Sequence, residues 1–253
     1  MSPNGLGWII VDSLDTLMIM NLTTRLSDAR QWLVKNLTYD QDQDVNAFET
    51  TIRMLGGLLS AHYLSTQLPD ASSERDHIYL SKAVDLADRL LAAYDSGSGI
   101  PYASVNLAKR EGIRSHADGG ASSTAEAATV QLEMKYLSVI TGDDIYWHKA
   151  ERVMEVLDSN GAKDGLVPIY VHPDTGRFRH KTIRLGSRGD SYYGVSAWSF
   201  RMLDFGSHSY RILGEAIPAD QRINLRGDVG RGADRDSEES CHLHQVLQPP
   251  IHC

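Results

Sequence analysis

The sequence has little cysteine: there are two residues, Cys241 and Cys253, and both lie close to the C-terminus of the 253-residue chain. Residues 1–240 therefore form no disulfide bonds among themselves. No apolar run approaches the roughly 20 residues that a membrane-spanning helix needs. The first residues lack a basic segment followed by an apolar one, so no signal peptide is visible. These absences predict a fold that relies on a hydrophobic core, without a membrane segment.

Positive charge is also in short supply, because 25 Lys and Arg residues face 33 Asp and Glu residues, for a formal net charge of −8. Nucleic-acid binding needs a basic surface that displaces counterions, so the balance argues against a nucleic-acid partner. The sequence also lacks a glycine-rich phosphate loop, a nucleophile elbow and an HExxH motif. The commonest nucleotide-binding, serine hydrolase and zinc protease signatures are thereby absent. Nothing in the sequence indicates an oligomeric state.

Hydrophobic periodicity predicts three helices in the first part of the chain, over residues 7–21, 27–37 and 47–67. The first is apolar on most sides and is expected to be buried. The second has Ser27 in the position of a helix cap, and its apolar stripe consists of Ala29, Trp32, Leu33 and Leu37. The third contains Gly56-Gly57, which is costly in a helix and predicts close packing against a neighbouring helix.

A weak internal repeat follows, because DHIYLSKA at 76–83 resembles DDIYWHKA at 143–150 and each segment follows a helix that contains Tyr-Leu-Ser. Recurrence of a helix, a turn and a helix predicts stacked helical hairpins, an all-α fold. Residues 165–186 alternate in polarity around a turn and predict one small β-hairpin. A further helix is predicted over 189–204, with Asp190 at its start.

The helical signal fades after residue 206. We therefore predict a domain over residues 1–206 and a tail over 207–253 that is irregular, either disordered or unrelated in origin. The tail offers an alternative zinc site, although its spacing lacks the usual Cys-x-x-Cys pair. The side chains concerned are Cys241, His242, His244, His252 and Cys253.

Glu49 and Arg53 are four residues apart at the start of the third predicted helix, so both side chains lie on one helical face. One interpretation is a surface ion pair, worth about 0.3–0.5 kcal/mol. The other is a partly buried carboxyl group whose proton affinity is tuned for acid catalysis, because apolar residues surround the pair. The pattern leaves both open.

Other acidic residues also occur in apolar or small-residue surroundings. Asp12 and Asp15 share one face of the first helix, where they either hydrogen-bond to neighbouring helix ends or bind a sugar. Glu126 shares a face with Glu133 and has small neighbours, which predicts room for a ligand beside it.

Arg188 and Asp190 precede two aromatic residues, Tyr192 and Tyr193. A charge pair beside aromatic rings suits stacking on a sugar and hydrogen bonding to its hydroxyl groups. The segment is therefore a candidate carbohydrate-binding element.

Several stretches of the chain resemble glycoside hydrolase family 47, the class I α-1,2-mannosidases. They occur in the family's order and reach Tyr193. The stretches are IVDSLDTL at 10–17, DVNAFETTIRMLGGLLS at 44–60, IPYASVN at 100–106, AEAATVQLE at 125–133, KDGLVP at 163–168 and GSRGDSYY at 186–193.

The resemblance implies a barrel of seven helical pairs, and this chain then corresponds to an incomplete (α/α) helical barrel, about half of the toroid. It implies hydrolysis, with inversion, of terminal α-1,2-linked mannose on high-mannose N-glycans, with calcium as cofactor. It also implies a location in the secretory pathway, the endoplasmic reticulum or Golgi. Glycosylation sequons at Asn21 and Asn36 agree with such a location.

The resemblance assigns roles to matching residues one by one. Glu49 matches the family's general acid, and Arg53 matches an arginine that lines the pocket on the same helix. Glu126 matches a pocket carboxylate, and Arg188 and Asp190 match residues near the reacting sugar. Because inversion needs a base opposite the acid, Asp190 is the second catalytic candidate. Asp15 joins Arg53, Glu126 and Arg188 as a predicted substrate-binding residue.

The chain departs from the family pattern after Tyr193, where Gly194 replaces the usual Glu. The Pro-Glu motif that holds the family's base is missing, and so is the Thr-Glu-Ala-His-Pro motif whose Thr binds calcium. We therefore expect the N-terminal half of a mannosidase, with weak or no activity alone. The alternatives are a non-catalytic glycan-binding module of the quality-control type and a helical scaffold without a sugar site.

Overall fold

A computed structural model describes residues 5–161 and 166–194. The α-helices are α1 (Trp8–Asp12), α2 (Leu14–Ile19), α3 (Thr23–Asn36), α4 (Ala47–Glu49), α5 (Gly56–Gln67), α6 (His77–Leu90), α7 (Thr124–Ala128), α8 (Gln131–Thr141) and α9 (Ile145–Ser159). A π-helix, Thr50–Leu55, joins α4 to α5, and the short 3₁₀ helices are Pro69–Ala71, Leu91–Tyr94 and Asp118–Gly120. The strands are β1 (Asp44–Asn46), β2 (Ser104–Asn106), β3 (Glu111–Ile113), β4 (Ser122–Ser123) and β5 (Tyr170–Val171). The described ranges are mostly helical and do not close into a barrel.

The two predicted helical hairpins are present, since α5 packs on α6 and α8 packs on α9. The repeated segments form the beginnings of α6 and α9, and their equivalent tyrosines, Tyr79 and Tyr146, are both buried. The Tyr146 hydroxyl donates a hydrogen bond to Asp88 Oδ1 on α6 at 2.7 Å. The repeat therefore marks core positions, and one of them links the two hairpins.

The first predicted helix, residues 7–21, is wrong as a single helix, because Ser13 separates α1 from α2. The Ser13 hydroxyl donates to Ile10 O at 3.2 Å, a bond that competes with regular helical geometry. Burial on most sides is also wrong. Val11, Leu14 and Met18 are buried, whereas Ile9, Ile19 and Met20 are 78%, 69% and 62% exposed.

The predicted cap at Ser27 is wrong as well, because α3 begins one turn earlier, at Thr23. Ser27 therefore lies inside the helix. The predicted apolar stripe is confirmed: Ala29, Leu33 and Leu37 are buried. An apolar stripe indicates which face of a helix packs against the core, whereas a single polar residue does not determine where the helix begins.

The helical run over 47–67 is confirmed, and its glycine pair lies where a neighbouring helix comes close. A Cβ atom on Gly57 would stand 2.7 Å from Val11 O and 3.2 Å from Val11 C, both backbone atoms of α1. A Cβ atom on Gly56 would meet Glu133 Cγ at 3.6 Å, an ordinary contact. The close approach therefore belongs to Gly57.

Gly57→Ala is expected to lower the free energy of unfolding by about 2 kcal/mol, because the methyl group would overlap a backbone that cannot rotate away. Gly56→Ala is the matched control, and it should be neutral or gain up to about 1 kcal/mol from helix propensity. Urea unfolding followed by circular dichroism measures both. Equal stabilities for the two variants would contradict the packing argument.

The predicted β-hairpin over 165–186 is confirmed by β5 and a bridge between Val171 and Phe178. Val167, Ile169 and Val171 are buried, in keeping with their alternation. β5 also pairs with β4, so the hairpin is attached to the segment that leads into α7.

A three-stranded antiparallel sheet, ordered β1-β2-β3, was not predicted. In its register Asp44 faces Asn106 and Asn46 faces Ser104. β2 and β3 lie in the loop-rich segment between α6 and α7. The sheet therefore fixes β1 immediately before the helix that carries Glu49.

A buried ion pair joins α3 to the start of α6. Arg30 Nε lies 2.7 Å from Asp76 Oδ1, and the two side chains are 12% and 10% exposed. Arg30 Nη2 also donates to Asp76 Oδ2 and to the carbonyl of Ala71. Asp76 Oδ2 accepts in turn from the Ser73 amide at 2.7 Å. Each charge thus has several partners, which compensate for its removal from water.

Several predictions reach beyond the described residues. The helix predicted over 189–204 is helical over 190–194, and the rest of it lies outside the described ranges. The tail over 207–253 lies outside them, as do all five zinc candidates. Within the described part of the chain, no helix is long and apolar enough to cross a membrane.

Candidate active site

Glu49 occupies the third position of a capped helix that follows directly from the three-stranded sheet. Asn46 ends β1 and caps α4, and its Oδ1 accepts from the Glu49 amide at 2.7 Å. A side-chain acceptor at this place satisfies one of the free amides of the helix end. Sheet, cap and helix together set the position of the Glu49 backbone.

Glu49 and Arg53 form the ion pair that their spacing predicts, with Arg53 Nε 2.7 Å from Glu49 Oε2. Arg53 Nη1 also lies 3.6 Å from Asp12 Oδ2, so one guanidinium lies between two carboxylates. The three side chains are 40–46% exposed. The hydrogen bond and charge of Glu49, together with Asp12, raise the pKa of Arg53 above its usual value. The ion pair is thus about half exposed, which lies between the two interpretations, a surface ion pair and a partly buried carboxyl group.

The helix is irregular directly after Glu49, where the π-helix Thr50–Leu55 replaces regular α-helix. Such wide turns occur frequently at functional sites. Arg53 belongs to this segment, so both members of the pair lie on or beside it. The glutamate and its partner are therefore presented by a local departure from α-helical geometry.

Glu126 occupies the same position in α7 that Glu49 occupies in α4. Ser123 ends β4 and caps α7, and its hydroxyl accepts from the Glu126 amide at 3.4 Å. Asn46 Nδ2 donates to Glu126 Oε2 at 3.3 Å. One asparagine thus contacts the backbone of Glu49 and the carboxylate of Glu126.

The small residues around Glu126 are packed into the fold, since Ala125, Ala127 and Ala128 are buried. A small cavity nevertheless lies beside Glu126, with Phe48, Tyr94 and Tyr102 among its lining residues. Space next to this carboxylate is therefore bounded by small, apolar and aromatic side chains from several segments of the chain.

Glu133, on the face predicted to be shared with Glu126, does not join the site. It packs beside Gly56, and burial raises the pKa of its carboxyl group. Its raised pKa reflects desolvation in the helix interface.

Arg188 contacts the site through its backbone carbonyl group. Its carbonyl accepts from the Ala125 amide at 3.0 Å, at the start of α7 and next to Glu126. Its guanidinium lies 3.5 Å from Asp118 Oδ2 and 5.2 Å from the centre of the Tyr170 ring. The φ angle of Arg188 is +74°, a left-handed value that non-glycine residues seldom adopt. Such backbone strain is often found at functional sites.

Tyr192 and Tyr193, the rings expected to stack on a sugar, make contacts within the protein. Tyr192 is buried, and the Tyr193 hydroxyl accepts from the Val167 amide at 3.0 Å. These rings anchor the segment to the β-hairpin, while Tyr170 is the ring that Arg188 covers. The spacing within one segment could not reveal a partner that lies on another.

Asp190 is exposed at the start of a helical turn, and its Oδ1 accepts from the Ser191 amide at 2.9 Å. The Oδ2 atom of Asp15 accepts from the Ser60 hydroxyl on α5 at 3.3 Å. This bond ties α2 to α5, so Asp12 is the first-helix carboxylate that reaches Arg53.

Sequence reasoning missed Asn46, Asp118 and Tyr170 as members of this region. The signal for Asn46 was available, since Asn46-Ala-Phe-Glu49 is an N-terminal cap followed by an acidic residue three positions later. Asp118 and Tyr170 carried no comparable signal. As a whole, the site offers acidic groups and guanidinium groups near aromatic rings, a set suited to binding sugar hydroxyls and to proton transfer.

The sequence profile of glycosyl hydrolase family 47 matches residues 1–211. A Candida albicans mannosyl-oligosaccharide 1,2-alpha-mannosidase is 62% identical over 193 residues, which cover 76% of this chain and 33% of that protein. A Saccharomyces cerevisiae endoplasmic reticulum mannosyl-oligosaccharide 1,2-alpha-mannosidase is 52% identical over 202 residues, 74% of this chain and 36% of that protein. The solved alpha-1,2-mannosidase from Trichoderma reesei superposes with a TM-score of 0.70 at 26% identity, over 84% of this chain and 46% of that one. The chain thus spans about a third of the length of the curated relatives it matches.

Proposed function

The chain belongs to glycosyl hydrolase family 47, and from that premise we propose that its Glu49–Arg53–Glu126 site takes part in hydrolysing terminal α-1,2-linked mannose from high-mannose N-glycans. The observation that carries the proposal is the contact of Asn46 with both glutamates. Residues far apart in sequence are thereby joined at the N-terminal ends of two helices. Relatives named as endoplasmic reticulum enzymes support a location in the secretory pathway.

In the proposed reaction Glu49 is the general acid. The glycosidic bond breaks as a proton passes from a Glu49 oxygen to the leaving sugar oxygen. Arg53 contacts Oε2, which leaves Oε1 as the oxygen that faces the sugar. A protonated carboxyl group can still accept from Arg53 at Oε2 while it donates from Oε1. Arg53 thus orients the acid.

Inversion requires a base that activates water on the opposite face of the sugar. Asp190 is the proposed candidate for this side, two residues after Arg188 and exposed to solvent. Arg188, Glu126 and Asp15 are proposed to bind sugar hydroxyl groups. The contact of the Arg188 carbonyl with Ala125 brings that segment next to Glu126 and supports a shared pocket.

Calcium is the cofactor that the family resemblance implies, and the Thr motif that binds it in the family is not found in this sequence. Within residues 5–161 and 166–194, no group of three or more His, Cys, Asp or Glu side chains is placed to hold a metal ion. Calcium prefers six to eight oxygen ligands. We therefore assign the ion no ligands in the described part of the chain and no step in the reaction.

Non-catalytic binding of high-mannose glycans is the second candidate function. The motif that holds the family's base is not found in the sequence, which favours this candidate, because a site without a base would bind a sugar without cleaving it. The two functions make different predictions for turnover, and one experiment separates them.

The test is to graft this chain in place of the matching 193-residue stretch of the Candida albicans protein. We expect the graft to release mannose from α-1,2-linked mannobiose at a rate comparable to that of the unaltered enzyme, whereas the chain alone binds the disaccharide and releases little. Chromatography of free mannose measures turnover, and calorimetry measures binding. A folded graft that binds mannobiose without releasing mannose would support the glycan-binding alternative instead.

A further inference from the structure

Asn46 makes two polar contacts of opposite kind, because its side chain accepts one hydrogen bond and donates the other. Its Oδ1 accepts from the Glu49 amide at 2.7 Å, and its Nδ2 donates to Glu126 Oε2 at 3.3 Å. A side-chain amide carries both an acceptor and donors, so one neutral group can serve both. A carboxylate in its place could accept from Glu49 but would repel Glu126. A serine side chain is one atom shorter, so its hydroxyl group does not reach the position that Nδ2 occupies.

The backbone of Asn46 is fixed by the three-stranded sheet. Asn46 pairs with Ser104 in the register of β1 and β2, and the next amide, Ala47, donates to Ala103 O at 3.0 Å. The residue is partly buried. Its side chain therefore extends from a fixed backbone position. From there it can hold the Glu49 amide and the Glu126 carboxylate at a constant separation.

Glu126 is held from two directions in consequence. Ser123 accepts from its amide at 3.4 Å, while Asn46 holds its carboxylate. The arrangement of the two glutamates thus depends on one amide group.

We propose that Asn46 is a positioning residue that aligns the Glu126 carboxylate with the Glu49 end of the site. Its importance for sugar binding rests on the proposed function. The alignment itself does not, because it follows from the two contacts. Loss of the Nδ2 donor, with the cap retained, should therefore move Glu126 while leaving α4 intact.

Three variants of the full chain separate the two contacts. Asn46→Asp has the same shape and keeps the acceptor, but replaces the donor with a negative charge. Asn46→Ser keeps a capping oxygen and adds no charge, so it distinguishes donor loss from repulsion. Asn46→Ala removes both contacts, and its melting temperature should fall by about 2–4 °C through loss of the cap. The melting temperatures of Asn46→Asp and Asn46→Ser should stay close to that of the unaltered chain.

Nuclear magnetic resonance reads each contact on its own. The amide proton shift of Glu49 should be retained in Asn46→Asp and Asn46→Ser and should change in Asn46→Ala. The ¹³C shift of the Glu126 carboxyl group should change in all three variants. A purely structural cap would leave the Glu126 signal unchanged in the two capped variants, and that result would overturn the proposal.

Titration with α-1,2-linked mannobiose by calorimetry connects the alignment to binding. Affinity should fall about tenfold in Asn46→Asp and Asn46→Ser, which corresponds to about 1.4 kcal/mol. Unchanged affinity in both would contradict a role in sugar binding. If the unaltered chain does not bind mannobiose, the proposed function fails, while the carboxyl signal of Glu126 still decides whether Asn46 aligns it.

Discussion

Glu49→Gln in the grafted enzyme is expected to lower the rate of mannose release by about 10²- to 10⁴-fold, the usual contribution of a positioned general acid. Glutamine matches glutamate in shape, and its carbonyl oxygen can still accept from Arg53, which contacts Glu49 Oε2 at 2.7 Å. Its amide cannot supply the proton that the leaving sugar oxygen requires. The loss should therefore fall on the turnover number, while the Michaelis constant changes little.

The matched control is Glu155→Gln, which alters an exposed glutamate–arginine pair on α9. Glu155 lies 3.1 Å from Arg152 on α9, and both side chains are exposed. We expect mannose release within about twofold of the unaltered graft, since surface pairs of this kind contribute little. Equal rates for the Glu49 and Glu155 variants would show that Glu49 is not the proton donor.

Asp76→Ala is expected to cost about 3–5 kcal/mol of unfolding free energy, the largest stability loss that we predict for this chain. The substitution leaves the Arg30 guanidinium buried beside α6 without its counter-charge, and it also removes the acceptor of the Ser73 amide. A buried charge without a partner is far costlier than the pair is favourable. Urea unfolding of the variant and of the unaltered chain gives the difference.

Two further variants test whether the unpaired buried charge causes that loss of stability. Replacing both partners, Arg30→Met with Asp76→Leu, should recover most of the stability, because the penalty comes from the unpaired charge. Glu155→Ala should cost no more than about 1 kcal/mol, since its ion pair is exposed. A loss in Asp76→Ala no greater than that in Glu155→Ala would mean that the pair is solvated in solution.

The parts of the fold that depend on local spacing could be predicted from the sequence. The stripe of Ala29, Leu33 and Leu37 follows from helical periodicity, and the hairpin that brings Val171 opposite Phe178 follows from alternation around a turn. The close approach at Gly57 followed from the absence of a side chain where helix propensity is poor. Each signal lies within a short window of the chain.

The parts that depend on contacts between distant residues could not be predicted. β1 and β2 are three residues long and are strands because Asp44 meets Asn106 across the sheet. The break at Ser13 reflects a local hydrogen bond that competes with the helix, and hydrophobic pattern does not report it.

The candidate site divides in the same way. The pairing of Glu49 with Arg53 follows from a spacing of four residues. The link from Asn46 to Glu126 joins residues 80 positions apart, and only the assembled fold brings them together. The role assigned to Asp190 stays a prediction.

The π-helical turn between α4 and α5 has a consequence for how this helix divides its surface. A residue added to one turn shifts the rotational phase of everything before it by roughly the 100° that one residue subtends in an α-helix. Residues 47–49 and 56–67 are therefore out of phase, and the buried stripe of α5 does not continue onto Glu49. One continuous helical run can in this way pack its α5 portion in the core while Glu49, at its N-terminal end, faces solvent.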